Sequence, residues 1–158
     1  VILVAIDPGR DAGVALFVGG RLVGARLVNG LRPSPGLVGL GLLSGDAEIT
    51  VEIPVLYPGG RSRAPGGDLI TLAYRAGRLV EAVDAALGPR NVKVVELAPA
   101  AWKAQVPPTL LEARIRERLD ADELALVEGV TSPTRLHNVL DAVGLGLFRL
   151  KRMGRGGT

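Results

Sequence analysis

Three acidic residues stand where acids are least expected. Asp7 ends the apolar run Val1–Ile6, Glu52 sits inside Thr50-Val51-Glu52-Ile53-Pro54, and Asp141 precedes the small and apolar Ala142-Val143-Gly144-Leu145. Charged side chains are seldom fully buried without a partner or a metal ion. Taken singly, Asp7 also reads as a turn residue, Glu52 as an edge-strand charge and Asp141 as a solvated helix position. Two of the three lie in strands that otherwise read as core, which favours a shared task. His137 and Asn138 precede Asp141 by four and three residues, so all three share one helix face. Carboxylates joined by one nitrogen or amide ligand suit Mg²⁺ or Mn²⁺ better than zinc. A lone histidine is as commonly a surface or core residue, and by residue type alone His137 keeps both readings.

Holding such groups together calls for rigid elements, and the chain reads as an α/β layer structure. Val1–Ile6 has the continuous apolar character of a strand buried on both faces, ended by Asp7-Pro8-Gly9. Val14–Val18 and Arg21–Val28 flank Gly19-Gly20 as a hairpin, and Ile49–Ile53 and Val92–Leu97 are further strands. The Gly- and Pro-rich stretch Asn29–Gly45 reads as a short irregular helix. Asp68 is placed to cap a long helix, Leu69–Leu87, with a broad apolar stripe. Pro99 opens a turn holding Trp102 and Lys103. Thr109…Glu112 and Asp120…Glu123 each have capping-box spacing, predicting helices to about Leu119 and through Glu128. Ser132-Pro133 starts a last helix that runs into Lys151.

Composition narrows the chemistry further. With 158 residues, 47% of them apolar, the chain is expected to form one domain over residues 1–153 with a polar tail at 154–158. There is no Cys and one His, which excludes disulfide scaffolds, thiol nucleophiles, zinc ribbons and multi-His metal sites. No apolar run approaches a membrane span, and the opening run is too short for a signal peptide, so a cytoplasmic setting is expected. Net charge is +3, and all but three of the nineteen basic residues are Arg, which favours planar contact with carboxylate or phosphate. Nucleic acid is thereby permitted as a partner.

Ala5-Ile6-Asp7-Pro8-Gly9 followed by Gly13 and a hairpin, then Val51-Glu52, then His137-Asn138-Val139-Leu140-Asp141-Ala142, resembles the RuvC-like Holliday-junction resolvases of the RNase H-like nuclease superfamily. Tyr57-Pro58 and Pro99-Ala100-Ala101-Trp102-Lys103 are similar to segments of the bacteriophage branch. The resemblance implies an RNase H-like fold, a five-stranded mixed sheet in the order 3-2-1-4-5 with helices on both faces. It implies two Mg²⁺ ions per site, replaceable by Mn²⁺, bridged by Asp7, with Glu52 on one side and Asp141 and a helical neighbour on the other. His137 is the favoured neighbour and Asn138 the alternative, because the family places its ligand where Asn138 stands. The implied activity is paired symmetric nicking of four-way DNA junctions in a bacterial cell or phage-infected host, with no nucleotide cofactor and no membrane partner.

Further residues fit around that scheme. Lys103 would hold a phosphate or stabilise developing charge, and equally reads as a solvated lysine. Arg61 and Arg63, with Tyr57 nearby, suit phosphate contact and base stacking in a loop. Trp102 reads as a packing residue, and Glu96 as a carboxylate paired with an Arg. Leu69, Leu72, Ala73, Ala76, Gly77 and Val80 of the long helix form the expected homodimer interface, the small residues permitting close helix approach and two-fold symmetry matching that of the junction. The alternatives are a monomeric RNase H-like nuclease acting on RNA, an actin-like ATPase fragment and a DNA-binding module without chemistry.

Overall fold

Every residue of the first strand, β1 (Ile2–Asp7), is buried, as its unbroken apolar run requires. The computed structural model describes residues 1–29, 43–55, 66–130 and 132–153. β1 pairs antiparallel with β2 (Asp11–Val18), which pairs antiparallel with β3 (Arg21–Asn29). On its other side β1 pairs parallel with β4 (Ala47–Glu52), and β4 pairs parallel with β5 (Val92–Leu97). The result is a five-stranded mixed sheet in the order β3-β2-β1-β4-β5, as expected. Gly19 and Gly20 turn the β2–β3 hairpin with φ of 58° and 84°, the left-handed backbone such tight turns demand.

Strand side chains alternate, so the sheet sorts its residues between two layers. Ile2, Val4 and Ile6 of β1, with Ala47, Ile49 and Val51 of β4, pack with Ala76, Leu79, Val83 and Leu87 of α1 (Gly66–Leu87). From β5 the chain passes through the short α2 (Pro99–Trp102) to α3 (Pro108–Glu117), α4 (Ala121–Glu128) and α5 (Leu136–Arg149) on the opposite face. There Leu3, Ala5, Ala15 and Phe17 pack with Ile115, Val127, Val139, Leu140 and Leu147. The alternation decides where the acids go. Asp7 continues the Leu3–Ala5 series and Glu52 the Glu48–Thr50 series, which puts both carboxylates on the α5 side.

Several expected helix starts shift, for local reasons. α3 opens with Pro107 at its N-cap and Pro108 in its first turn, with no side-chain cap bond, so Thr109 and Glu112 form no capping box. Proline suits the first helical position because its φ is preset and its missing N–H would go unbonded there. At α4 the box does form, with Glu123 N donating to Asp120 Oδ1 at 2.9 Å and Asp120 N to Glu123 Oε2 at 3.2 Å. α1 begins at Gly66, so Asp68 sits in its first turn rather than at its cap, still favourable to the helix dipole. A 3₁₀ turn over Pro133–Arg135 precedes α5. The expected helix within Asn29–Gly45 lies, apart from its ends, outside the described residues. Among the described residues no helix is long and apolar enough to cross a membrane.

One buried ion pair ties distant parts of this layer together. Glu123 is 1% exposed and accepts hydrogen bonds from Leu22 N at 2.8 Å and from Arg152 Nη2 at 2.7 Å. Arg152 also donates to the carbonyls of Gly20 and Arg118, each at 2.9 Å. The Arg152 bonds above all hold the Glu123 carboxyl down at a pKa of about 2. The clamp joins the β2–β3 hairpin, the α3–α4 corner and the chain beyond α5. Arg149 is engaged likewise, donating from Nη2 to Glu48 Oε2 at 2.9 Å, which lowers the Glu48 pKa. Both arginines therefore serve the fold.

Candidate active site

Ile6 pairs with Val51 across the parallel β1–β4 ladder, so Asp7 and Glu52 are the next residues along on adjacent strands. α5 contributes Asp141, and the turn after α2 contributes Lys103. The Lys103 ammonium joins two of these acids, donating to Asp141 Oδ2 at 2.7 Å and to Glu52 Oε1 at 3.3 Å. Trp102 Nε1 donates to the other oxygen of Glu52 at 2.8 Å, and its ring lies 4.9 Å from Lys103 Nζ. Buried indoles need a partner for their N–H, and here that need orients a carboxylate.

Asp7 is the most burdened member, at 9% exposure. Burial first, then the charges of Glu52 and Asp141, push its carboxyl well above the usual carboxylate range, and Lys103 offsets only part of this. Burial works against the charge on Lys103, yet Glu52 and Asp141 outweigh it and raise the Lys103 pKa. Three carboxylates thus share one ammonium, leaving local negative charge in excess.

The start of α5 is anchored beside Asp7. Gly13 pairs with Asp7 across β1–β2, and a Cβ on Gly13 would lie 1.8 Å from the Asn138 carbonyl oxygen. Only glycine lets the first turn of α5 cross the sheet this closely. Asn138 Nδ2 donates to the Asp11 carbonyl at 2.7 Å, and Arg135 pairs with the Asp11 carboxylate at 2.9 Å. Asp141 follows one helical turn later. Gly13→Ala is accordingly expected to lift α5 and carry Asp141 away from Glu52. A loss of about 1–3 kcal/mol, the usual cost of overpacking, should appear in thermal melts. An unchanged melt would show that the helix start accommodates a methyl group.

The structure brings together Asp7, Glu52, Asp141 and Lys103 of the expected set. His137 is exposed and makes no hydrogen bond or ion pair among the described residues. Asn138 donates from Nδ2 to the Asp11 carbonyl, a fold-anchoring bond made by its nitrogen and not by the oxygen a metal would use. Glu96 is exposed on β5. Tyr57, Arg61 and Arg63 lie outside the described residues. On α1, Ala76 is buried in the chain's own core, which corrects its expected place in an interface; Leu69, Leu72 and Val80 are half-buried. Ala73 and Gly77 are exposed, alongside Ile70 at 73% and Tyr74 at 60% exposure. Sequence reasoning missed the Trp102 N–H, whose signal was its place directly before Lys103, and the anchoring role of Asp11.

The donor chemistry fits a hard divalent cation, being three carboxylates with uncompensated charge and no sulfur. Among the described residues no three His, Asp or Glu side chains close on one point at ligand distance. Lys103 instead bridges Glu52 and Asp141 through its ammonium.

No family model matches the sequence, and no curated protein matches it. Solved structures do. A fowlpox virus Holliday junction resolvase aligns over 96% of this chain and 99% of its own, at 14% identity and a TM-score of 0.50. Thermus thermophilus RuvC, in a structure with a Holliday junction substrate, aligns over 98% of this chain and 97% of its own, at 20% identity and a TM-score of 0.47. The fold is the RNase H-like fold of such resolvases, with its 3-2-1-4-5 sheet.

Proposed function

We propose that the protein is a metal-dependent endonuclease that resolves four-way DNA junctions by paired symmetric nicks. The observation carrying this reading is the meeting of Asp7, Glu52 and Asp141 where the two central parallel strands end, on a fold that a viral junction resolvase shares. Asp7, Glu52 and Asp141 would hold Mg²⁺, two ions per site, with His137 positioned on the adjoining turn of α5 as a further ligand. Such ions, when bound, acidify the attacking water and offset charge on the leaving oxygen. Lys103, released from its carboxylates, would then face the scissile phosphate, as an ammonium is a strong point charge for phosphate. Trp102 would keep Glu52 oriented through its N–H throughout.

The test is incubation of the full chain with a synthetic four-way junction, a matched duplex and an RNA–DNA hybrid, each with and without Mg²⁺. Symmetric nicks confined to the junction and to Mg²⁺ are expected. Cleavage of the hybrid alone would replace this reading with an RNA-directed one.

Two coordinated nicks need two sites, and we place the two-fold interface on the exposed stripe of Ile70, Ala73, Tyr74 and Gly77 along α1. Tyr74→Glu should convert a dimer to a monomer by sedimentation, without loss of helix content, and uncouple the two cuts. A wild-type chain that sediments as a monomer on junction DNA would remove this interface.

A further inference from the structure

Next to the carboxylates, and sharing Trp102 and Lys103 with them, lies a pocket of about 620 Å³ between α2, α3 and the end of α5. That is within the roughly 300–1,000 Å³ of small-ligand sites. Its apolar lining includes Trp102, Leu111, Phe148 and Met153, and among the described residues no acid lines it. Its cations are more telling. Arg149 is matched by Glu48, whereas Arg114 and Lys151 are exposed and have no acidic partner among the described residues. The pocket therefore offers aromatic and aliphatic surface together with two unmatched positive charges.

We infer that this pocket receives one unpaired nucleotide of the DNA strand whose phosphate is presented to Asp7, Glu52 and Asp141; the inference rests on the nuclease reading above. A nucleotide joins a flat, largely apolar base to an anionic phosphate, which matches both halves of the lining. An apolar peptide would leave Arg114 and Lys151 unanswered, and a simple anion would leave Trp102, Leu111 and Phe148 unused. Lys103 fixes the link, since one ammonium both lines the pocket and contacts Glu52 and Asp141. A nucleotide seated here stands one side chain away from the acids. A base pair at a branch point can lose a stacking neighbour, so drawing out one of its bases costs less than the few kcal/mol that extraction from an intact duplex costs. The pocket would thus favour branched over paired DNA by the state of a single residue of the strand.

Trp102 is the only tryptophan in the chain, so its fluorescence reports on this wall. The full chain is titrated, without divalent cations, with oligothymidylate, thymidine monophosphate and a matched duplex. Saturable quenching by the oligonucleotide, weaker quenching by the monophosphate and none by the duplex are expected. The double variant Arg114→Glu with Lys151→Glu should weaken oligonucleotide binding by at least about tenfold through lost phosphate attraction. Phe148→Ala should weaken it through lost stacking, with a melting curve to confirm that the variant is folded. Absent quenching, equal quenching by duplex, or an unchanged response in the charge-reversed variant overturns the inference. Quenching that follows protein concentration without any nucleotide also overturns it, identifying a second copy as the occupant. Junction cleavage in Mg²⁺, measured separately, keeps the two readings apart: cleavage without quenching sinks the pocket alone, and quenching without cleavage supports a nucleotide site and sinks the nuclease.

Discussion

Asp7→Asn is expected to lower junction cleavage by on the order of 10³-fold while leaving junction binding within a few-fold of wild type, since even outer partners of metal ligands cost about 10–100-fold. The same substitution should raise the melting temperature. The Asp7 carboxylate is buried beside Glu52 and Asp141, and its charge is opposed by both burial and neighbours. An amide of the same shape removes that opposition. Activity and stability should therefore move in opposite directions, the pattern of a site that stores unfavourable charge for use. Adding Mg²⁺ should raise the wild-type melting temperature and leave the Asn variant nearly unmoved. Retained cutting would refute the role given to Asp7, and an unraised melting temperature would refute the account of its burden.

The second large effect concerns folding. Glu123→Ala is expected to cost about 3–5 kcal/mol, the range for breaking a buried ion pair from one side. It strands Arg152, leaves the Leu22 N–H without its acceptor and opens the capping box of α4. The pH dependence has a definite sign. The Glu123 carboxyl falls from 4.5 to about 2 on folding, so its contribution is fully present above 4.5 and is lost as pH drops toward 2. A shift of that size amounts to roughly 3 kcal/mol. Melts of wild type and Glu123→Gln should therefore differ most at neutral pH and converge in acid. A gap that stays constant down to the acid end would show that the carboxylate charge contributes nothing.

Much of this was legible in the residues, for reasons that differ by element. The glycine hairpin and the Asp120–Glu123 box are local devices, and both form as their spacing predicts. The order of the strands followed only from the family resemblance. Which face Asp7 takes was hidden, because β1, buried on both sides, shows no alternation, whereas β4 alternates and sets Glu48, Thr50 and Glu52 on one face. Asp120 announces its partner three residues on, but the partner of Glu123 is Arg152, beyond the reach of any local pattern. Thr109 misled because two prolines define the start of α3 first. Asn138 was legible only as a helical neighbour of Asp141; that its Nδ2 also anchors it to a strand 127 residues earlier in the chain could not be read from spacing.

Hydrogen alone fills the place of a side chain where α5 meets its neighbours. Besides the crossing at Gly13, a Cβ on Gly146 would stand 2.1 Å from the Phe17 ring, and one on Gly144 would stand 2.6 Å from Ile115. A rod located at three separate points can neither roll nor slide without colliding at one of them. The height of Asp141 above the strands is consequently set by one backbone crossing, at Gly13, and by two side-chain seats, Ile115 and the Phe17 ring. Surface positions of that rod are free to drift in sequence, while an added carbon at any of the three seats forces a neighbour to shift.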